Sequence, residues 1–479
     1  MKARWLLLAA LFTTVVLTGC LPEKRVLWSP DGKWALVRGD EGLYLCGADG
    51  ELSPRVAERV DAVTWAPDSR QVILSRREPV HSWAEMAAVM TPERRAEVEA
   101  RGPKFRSELL MHEGEWDTFK PRSLGGLSGG EALALLLYVR ERRDAALVQR
   151  MGDKWADVEK VVGAVHLLQR ARVDDTGGLT LGDVLLRDVD NFQELRVSPP
   201  GQFVAFRRPM TDEDHTQCIS VLPLKTGAAP RAVAEYAALF YDWSPDGRSI
   251  VYAATKRAMT DESDELRLGT LLRQPVAGED GALLARLPEP DELAGLVFQP
   301  EVRVRCLSDG RILFASFEMG LPCTAKDMPQ RAALFAVHPE RYPGVLRLVS
   351  RQVEPELPDA MALFEVSPDE QHVSIPGMDG RVVVLTLATG AICEVVAKDD
   401  ADRLRTEPAW RSDDELTVGV VPGAAGAKER AQIALARVNW ATCTAERRII
   451  STDWPDEAVL GVLAEKPKPE ESPAEPASE

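Results

Sequence analysis

Past its first twenty residues, the 479-residue sequence lacks any apolar run long enough to cross a bilayer. Basic residues are also under-represented: 58 Lys and Arg stand against 75 Asp and Glu, for a net charge of −17. Because nucleic-acid-binding proteins present basic surfaces, this balance argues against nucleic acid as a partner. The sequence also lacks a Gly-x-x-x-x-Gly-Lys-Ser/Thr loop, which excludes P-loop nucleotide hydrolysis.

Cysteine and histidine are scarce and are not arranged for metal binding. The chain has seven cysteines and six histidines, no Cys-x-x-Cys pair, and no cysteine at metal-ligand spacing from a histidine. We therefore predict no metal and no cofactor. In an exported protein the cysteines after the first can pair. We expect mostly small buried strand residues, with room for one or two disulfides, among Cys46, Cys218, Cys306, Cys323, Cys393 and Cys443.

The first twenty residues have the features of a targeting segment. A basic start is followed by apolar Trp5–Val16 and by the tetrapeptide LTGC, which ends at Cys20. This order resembles a bacterial lipobox, in which the cysteine becomes the lipidated first residue of the mature protein; the alternative is an ordinary secretory signal that happens to contain a cysteine. We predict a signal peptide over 1–19, lipidation of Cys20 and a tether over 20–25. By resemblance to the known sorting rule, Leu21 favours the outer membrane.

The other end of the chain is also set apart by composition. Residues 464–479 are rich in Pro and Glu and have almost nothing to bury, so we predict a disordered acidic tail. The length that remains would suit two or three ordinary domains, but closed all-β architectures often run this long as a single domain.

One pattern recurs between these ends: an apolar residue, Ser-Pro-Asp-Gly, and then an apolar run. Full copies begin at Trp28 and Trp243, partial copies at residues 65, 197, 307, 366 and 410, and a poor copy at 454. In a tight turn Pro presets φ, Asp bonds its own backbone and Gly accepts positive φ. The residues that we assign to structural turns are Pro30, Asp31, Gly32, Pro67, Asp68, Pro245, Asp246, Gly247, Asp309, Gly310, Pro368 and Asp369.

The spacing of the copies predicts the architecture. The runs beside each turn are β-branched and aromatic, and a second hairpin follows most copies, so each unit is four short strands. Successive copies are 37, 132, 46, 64, 59 and 44 residues apart, and most of these spacings fit a propeller blade of roughly 40–50 residues. We predict an all-β fold over 26–463: a β-propeller of about seven four-stranded blades, with six or eight as alternatives and a β-sandwich as runner-up.

The Ser-Pro-Asp-Gly-Lys/Arg turn resembles that of the TolB-type, WD-repeat-like β-propellers. The resemblance covers about 26–75 and 183–463, with two full and five partial copies, and it implies the propeller fold. TolB itself carries a separate α/β domain before its propeller, whereas here the first repeat begins six residues after Cys20. We therefore extend the resemblance to the fold and not to TolB's Tol–Pal role.

The spacing of 132 residues exceeds a blade by about 90. We assign the excess to a helical insertion over 78–180, between the second and third strands of blade 2, and place that blade's outer hairpin at Gly182–Val197. Antiparallel strands alternate in direction, so the insertion and the entry into blade 1 share one face of the ring, and the Pro-Asp-Gly turns lie on the other. The tether spans at most about 20 Å, so we predict that the insertion lies on the membrane-proximal face.

Three helix starts can be read within the insertion. Thr91 precedes a Pro at the first helical position, and Ser128 with Glu131 forms a capping box. Asp153 is expected to cap a helix over Lys154–Ala171. Ser128 also lies in a Gly-x-Ser-x-Gly pattern, as does the nucleophile of α/β-hydrolases. A polar, Pro-broken segment precedes it instead of a core strand, so capping explains Ser128 more simply than catalysis.

Taken together, these features predict a non-catalytic, monomeric, lipid-anchored β-propeller of the bacterial cell envelope. Its partner is an envelope protein or a glycan, and its only other partner is the membrane, through the lipid. The alternatives are a hydrolase or lyase of envelope polymers that uses the mouth of the propeller channel, and a small-ligand sensor. Clustered Asp, Glu, His or Arg at that mouth would favour an enzyme, whereas scattered apolar and mixed residues would count against one.

Overall fold

A computed structural model describes residues 25–113, 119, 121–209, 217–254, 267–298, 303–317, 332–351, 364–376, 382–396, 403–404, 407–421, 432–451 and 454. The predicted signal peptide, Cys20 and the predicted tail lie outside these residues, as does Cys323.

The described strands form antiparallel sheets that follow one another in chain order. The first half of the chain contains β1 (Val26–Trp28), β2 (Ala35–Arg38), β3 (Gly42–Cys46), β4 (Ala57–Glu58), β5 (Val60–Trp65), β6 (Gln71–Val80), β7 (Gly163–Val173), β8 (Leu179–Asp188), β9 (Gln193–Val197), β10 (Phe203–Pro209), β11 (Gln217–Pro223), β12 (Arg231–Trp243), β13 (Ser249–Ala254), β14 (Arg267–Pro275) and β15 (Asp291–Phe298).

The second half contains β16 (Val304–Cys306), β17 (Ile312–Phe317), β18 (Ala332–His338), β19 (Tyr342–Arg351), β20 (Glu365–Val366), β21 (His372–Pro376), β22 (Val382–Thr386), β23 (Ile392–Val396), β24 (Arg403–Leu404), β25 (Ala409–Trp410), β26 (Glu415–Val421), β27 (Gln432–Asn439) and β28 (Thr444–Ser451). Both β24 and β25 pair with β26.

Within the described residues these strands make seven four-stranded blades in a ring, which confirms the all-β propeller prediction. The long strand β12 serves two blades. Its first part pairs with β11 as the outer strand of blade 3, and after a register shift its last residues pair with β13 as the inner strand of blade 4.

The first strand of each blade is the innermost. Strand β5 lies against β9, β9 against β12, and β12 against β16, while β25 lies against both β20 and β1, which closes the ring. The core is therefore divided into wedges between neighbouring blades. The wedge that closes the ring packs Val26 and Trp28 of blade 1 against Ala409 and Ile433 of blade 7, together with Trp454.

Helices lie between β6 and β7, the second and third strands of blade 2. They are α1 (Trp83–Ala87), α2 (Pro92–Met111), α3 (Gly129–Arg142), α4 (Ala145–Met151) and α5 (Trp155–Glu159), with single 3₁₀ turns at Arg122–Leu124 and Gly152–Lys154. Their apolar side chains form a separate cluster that continues onto Val80, Val165 and Leu167 of the two strands. We call residues 81–162 the helical insertion.

The N-termini of α2 and α3 have the caps that the sequence predicts. The Oγ1 of Thr91 accepts a hydrogen bond from the backbone N–H of Arg94 at 3.3 Å, with Pro92 at the first helical position. Ser128 and Glu131 form a reciprocal capping box at α3. A 3₁₀ turn precedes Ser128, and no strand leads into it, so the residue lacks the setting of a hydrolase nucleophile.

The predicted helix over Lys154–Ala171 is wrong beyond Glu159. Gly163–Val173 is strand β7, paired along its whole length with β6. The apolar residues of this segment fit the two-residue period of a strand as well as the 3.6-residue period of a helix. The long strand β6 offers its edge for pairing, and this pairing makes the segment a strand. Asp153 lies in a 3₁₀ turn and caps no α-helix.

The predicted outer hairpin of blade 2 at Gly182–Val197 is also wrong. Strand β8 is the fourth strand of blade 2, and β9 is already the first strand of blade 3. This error follows from the previous one: because the segment of β7 is predicted as helix, β8 and β9 are assigned as the third and fourth strands of blade 2, one place too early.

Candidate functional site: the channel and its mouth on the turn face

The residues assigned to turns lie in the hairpins that join the first and second strands of the blades. In the first hairpin the N–H of Gly32 donates to the carbonyl of Ser29 at 2.8 Å. Gly32 has a φ of +67°, and a Cβ there would lie 2.5 Å from the carbonyl oxygen of Arg411. Glycine is therefore required both by the turn and by the approach of blade 7.

The aspartate of each turn accepts hydrogen bonds from the backbone that follows it. Asp31 accepts from the N–H of Lys33 at 3.3 Å. Asp246, Asp309 and Asp369 each accept from the residue two positions on at 3.0 Å, and Asp68 accepts from Arg70 and Gln71. Burial raises the pKa of Asp31, but the hydrogen bonds from Ser29 and Lys33 outweigh it and the pKa lies below its ordinary value.

The serine of the motif has a role that the sequence analysis did not assign. The Ser29 hydroxyl donates to Asp31 at 2.6 Å and accepts from the N–H of Trp34 at 3.1 Å. Ser244 and Ser367 make the same pair of bonds in their own hairpins. The Ser-x-Asp pair therefore fixes both ends of the turn.

The repeated tryptophans link neighbouring blades. The indole N–H of Trp65 donates to the carbonyl of Leu27 at 3.0 Å, that of Trp243 to Arg196 at 3.0 Å, and that of Trp410 to Glu365 at 3.2 Å. In each pair the acceptor is the corresponding inner-strand residue of the preceding blade.

At the ring closure, a threonine hydroxyl lies between the indole of blade 1 and the backbone carbonyl of blade 7. Trp28 donates to Oγ1 of Thr417 at 3.3 Å, and this hydroxyl donates to the carbonyl of Ala409 at 3.2 Å. The motif therefore serves assembly of the ring.

Each link ends at the residue that comes just before the last position of an inner strand, and we call these positions a channel layer because the inner strands surround the channel. In blades 3 to 6 these residues are Arg196, Asp242, Arg305 and Glu365, which alternate in charge. In blades 1, 2 and 7 they are Leu27, Thr64 and Ala409, of which Ala409 packs into the wedge that closes the ring. This layer is therefore charged in blades 3 to 6 and uncharged in blades 1, 2 and 7. Sequence reasoning missed this ring, although each member stands directly before the final inner-strand residue of a repeat.

The next channel layer, two residues earlier, is also charged. The Arg303 side chain is 2% exposed and donates to Glu365 at 2.6 Å and to Glu407, whose side chain is 1% exposed. The guanidinium also lies 4.7 Å from the ring centroid of Phe240. Arg305 donates to the same Glu365 at 2.9 Å. Blades 4 to 7 are joined by this buried network.

A second set of bonds joins blades 3, 4 and 5. Arg196 donates to Glu194 at 2.9 Å and to Asp242 at 3.4 Å, and Asp242 accepts from the backbone N–H of Cys306 at 2.9 Å. Burial raises the pKa of Glu194, but the nearby Arg196 and Arg303 reverse this and hold it below its ordinary value. Burial lowers the pKa of the Arg196 guanidinium, but Glu194 and Asp242 raise it above the ordinary value. Both groups are therefore ionised at neutral pH.

A cavity of about 340 Å³ opens where the channel meets the turn face. Thr64, Arg196 and Asp242 line its inner part, and Ser308 and Glu370 line its rim. Glu370 accepts from the backbone N–H of Ser308 at 2.8 Å and from its hydroxyl at 2.5 Å. Cys306 is also on the wall, where burial and then the charge of Asp242 raise the pKa of its thiol well above the ordinary value.

On the opposite face the helical insertion is fixed to the ring by Arg94 of α2. Its guanidinium donates to Glu131 of α3 at 2.6 Å, to Asp188 at 2.8 Å and to Asp190 at 2.7 Å. Arg208 of blade 3 also donates to Asp188, at 3.3 Å. The insertion is therefore attached where blade 2 passes into blade 3.

One disulfide joins two blades: Cys393 of β23 in blade 6 is bonded to Cys443, between β27 and β28 of blade 7. Cys46 and Cys306 are free thiols. Across the ranges described above, no three His, Cys, Asp or Glu side chains converge as a metal site would require. Nor does any helix in those ranges combine the length and apolar character needed to traverse a membrane.

Comparison with known proteins yields similar solved structures but no family. No family model and no curated protein matches the sequence. Similar solved structures include the Cps50 (Swd1) β-propeller domain of Myceliophteria thermophila, with 8% identity, TM-score 0.42, and coverage of 86% of this chain and 96% of that one.

Two further similar structures are those of proteins named as enzymes. An oligogalacturonate lyase of Vibrio parahaemolyticus has 9% identity, TM-score 0.44, and coverage of 88% of this chain and 91% of that one. Prolyl oligopeptidase B of Galerina marginata has 11% identity, TM-score 0.46, and coverage of 89% of this chain and 50% of that one. At these identities and TM-scores the likenesses carry no argument about the fold of this chain or its substrate.

Proposed function

We propose that this protein is a lipid-anchored β-propeller of the bacterial envelope that binds a protein or glycan and performs no chemistry. The proposal rests on one observation: the charged side chains around the channel form ion pairs with one another. Arg303, Glu365 and Glu407 are buried and bonded to one another, so they hold the ring together and are out of reach of a substrate. A general acid or base instead needs access and a pKa near the working pH.

The proposed location is supported by two independent features. Residues 1–20 have the order of a lipoprotein signal ending at Cys20, and the disulfide between Cys393 and Cys443 suits an oxidising compartment such as the periplasm. In this proposal the TolB-type resemblance concerns the blades alone. The chain enters blade 1 at Arg25 on the face that carries the helical insertion, so we place the insertion toward the membrane.

One observation favours a second candidate, a hydrolase or lyase of envelope polymers: charged side chains do cluster at the channel mouth. Asp242 and Glu370 both reach the cavity there. Asp242, however, accepts from Arg196 and from the backbone of Cys306 and Trp243, and the described residues that line the cavity include no histidine. Binding therefore remains the better-supported function.

Membrane fractionation tests the anchor. The variant Cys20→Ser cannot receive a lipid at that position, so we expect it to move from the membrane pellet to the soluble periplasmic fraction. The control is Cys218→Ser, which replaces a cysteine on strand β11 of the propeller and is expected to leave the protein in the membrane. A Cys20→Ser protein that stays in the pellet after a carbonate wash would contradict the anchor.

Incubation of the purified protein with isolated envelope polymer tests binding against chemistry. We expect saturable co-sedimentation without release of reducing ends and without the ultraviolet absorbance of an unsaturated product. Turnover of either kind would establish the enzyme alternative.

A further inference from the structure

The residues that line the cavity at the turn-face mouth of the channel limit the class of ligand that can bind there. Its walls come from blades 2 to 6, and its volume of about 340 Å³ lies near the lower end of the range of ligand pockets, roughly 300–1,000 Å³. We propose that this cavity binds a neutral sugar unit of a glycan. The inference deepens the proposed binding function and rests on it.

The inner wall offers hydrogen-bond donors. The Arg196 side chain lies on the wall and is partly exposed, and its terminal nitrogens bind Glu194 and Asp242. Among the described residues, the Thr64 hydroxyl makes a single long contact of 3.4 Å, to the carbonyl of Trp65. Each terminal guanidinium nitrogen carries a second N–H, so a ligand oxygen placed beside these groups can accept from Arg196 and from the Thr64 hydroxyl.

The wall also offers acceptors. Each carboxylate oxygen can accept two hydrogen bonds, and those of Asp242 and Glu370 have capacity beyond the bonds they make within the ring. A sugar hydroxyl donates one hydrogen bond and accepts others, so it matches a wall that carries both kinds of group. A purely accepting ligand such as phosphate does not.

The charge of the wall selects against an anion. Asp242 and Glu370 contribute two negative charges, and the single positive charge of Arg196 is already shared with Glu194. A ligand carboxylate would therefore meet net repulsion. The remaining wall is apolar, with Val197, Pro199 and Pro245 among its residues, and it suits the C–H face of a sugar ring.

Saturation-transfer NMR on the full-length protein in detergent tests the inference. The probes are glucose and N-acetylglucosamine, with glucuronate as the charged counterpart. We expect a saturable signal from at least one neutral sugar and weaker binding of glucuronate. Thr64→Val keeps the shape and removes the hydroxyl, and Glu370→Gln keeps the shape and removes the charge. Each is expected to weaken binding by roughly 5–10-fold.

The matched control is Arg248→Gln, which lies on the same face but outside the cavity and should leave sugar affinity unchanged. Thermal melts of each variant show that the fold is intact. Absence of any saturable signal, sugar affinity in both wall variants equal to that of the original protein, or tighter binding of glucuronate would overturn the inference. If the protein still co-sediments with envelope polymer in that case, only this site fails and the proposed binding function stands.

Discussion

At the scale of single residues, the motif works through hydrogen bonds that cross from one blade to the next. Pro, Asp and Gly shape the turn, Ser ties its two ends, and Trp reaches the preceding blade. The first three roles follow from backbone chemistry and can be read from the sequence. The acceptor of the indole N–H cannot, because it belongs to a strand that lies 47 residues away in the case of Trp243.

Replacing Trp243 with Phe tests this link. The change leaves the buried carbonyl of Arg196 without its donor and removes part of a ring that stacks on Phe203. We expect the free energy of unfolding to fall by about 2 kcal/mol, measured as a lower urea midpoint at an unchanged m-value. Trp34→Phe, in the first hairpin, where the side chain is partly exposed, serves as control and should cost under about 1 kcal/mol. Equal losses in the two variants would show that the interblade bond adds nothing.

At the scale of elements, blade 2 combines a complete four-stranded sheet with strands that extend past it. Strands β6 and β7 pair from Gln71 and Arg172 to Val80 and Gly163, and the helices pack on the far end of this ribbon. Local patterns identified the caps of α2 and α3 because capping depends on neighbours in the chain. The same patterns misread β7, because a strand is decided by the partner edge that β6 provides.

Removal of the helical insertion tests whether the ring is independent of it. Arg77 and His166 face each other across β6 and β7, so an Asn-Gly turn can join them directly. We expect this shortened chain to remain folded, because the wedges on both sides of blade 2 consist of propeller side chains. The measurement is a cooperative thermal transition together with a β-rich circular dichroism spectrum.

A point variant of the full-length chain tests the role of Arg94 in the same experiment. Arg94→Gln keeps the insertion but removes the charge that Glu131, Asp188 and Asp190 share. It is expected to be less stable than the shortened chain, because it leaves Glu131 and Asp190 buried without this cation and leaves Asp188 with Arg208 alone. A shortened chain that fails to fold would show that the insertion belongs to the propeller core.

At the scale of the whole molecule, none of the described strands is shared between blade 1 and blade 7, the two ends of the ring. Blade 1 is built from consecutive strands, as is blade 7. Closure relies on the Trp28–Thr417 link and on Trp454, whose indole N–H donates to the carbonyl of Gly50 at 2.9 Å. The disulfide between Cys393 and Cys443 ties the last two blades beside this closure.

Replacing both Cys393 and Cys443 with Ser tests this tie. The disulfide closes a loop over a sequence separation of 50, so its loss should lower the free energy of unfolding by about 2–4 kcal/mol. Urea unfolding measures the change, and a reductant should lower the stability of the original protein to that of the variant while leaving the variant unaffected. If reductant destabilises both proteins equally, the disulfide has no such role.

The sequence by itself determined the type of fold, because Ser-Pro-Asp-Gly turns between β-branched runs recur at blade-like spacing and each turn depends only on its own residues. The sequence also located the helical insertion in blade 2 and the N-terminal caps of two of its helices. The tertiary structure alone decided that Gly163–Val173 is a strand, that Arg196, Asp242, Arg305 and Glu365 meet in one channel, and that a cavity opens beside them. These features join segments far apart in the chain, and only closure of the ring brings their side chains within bonding distance.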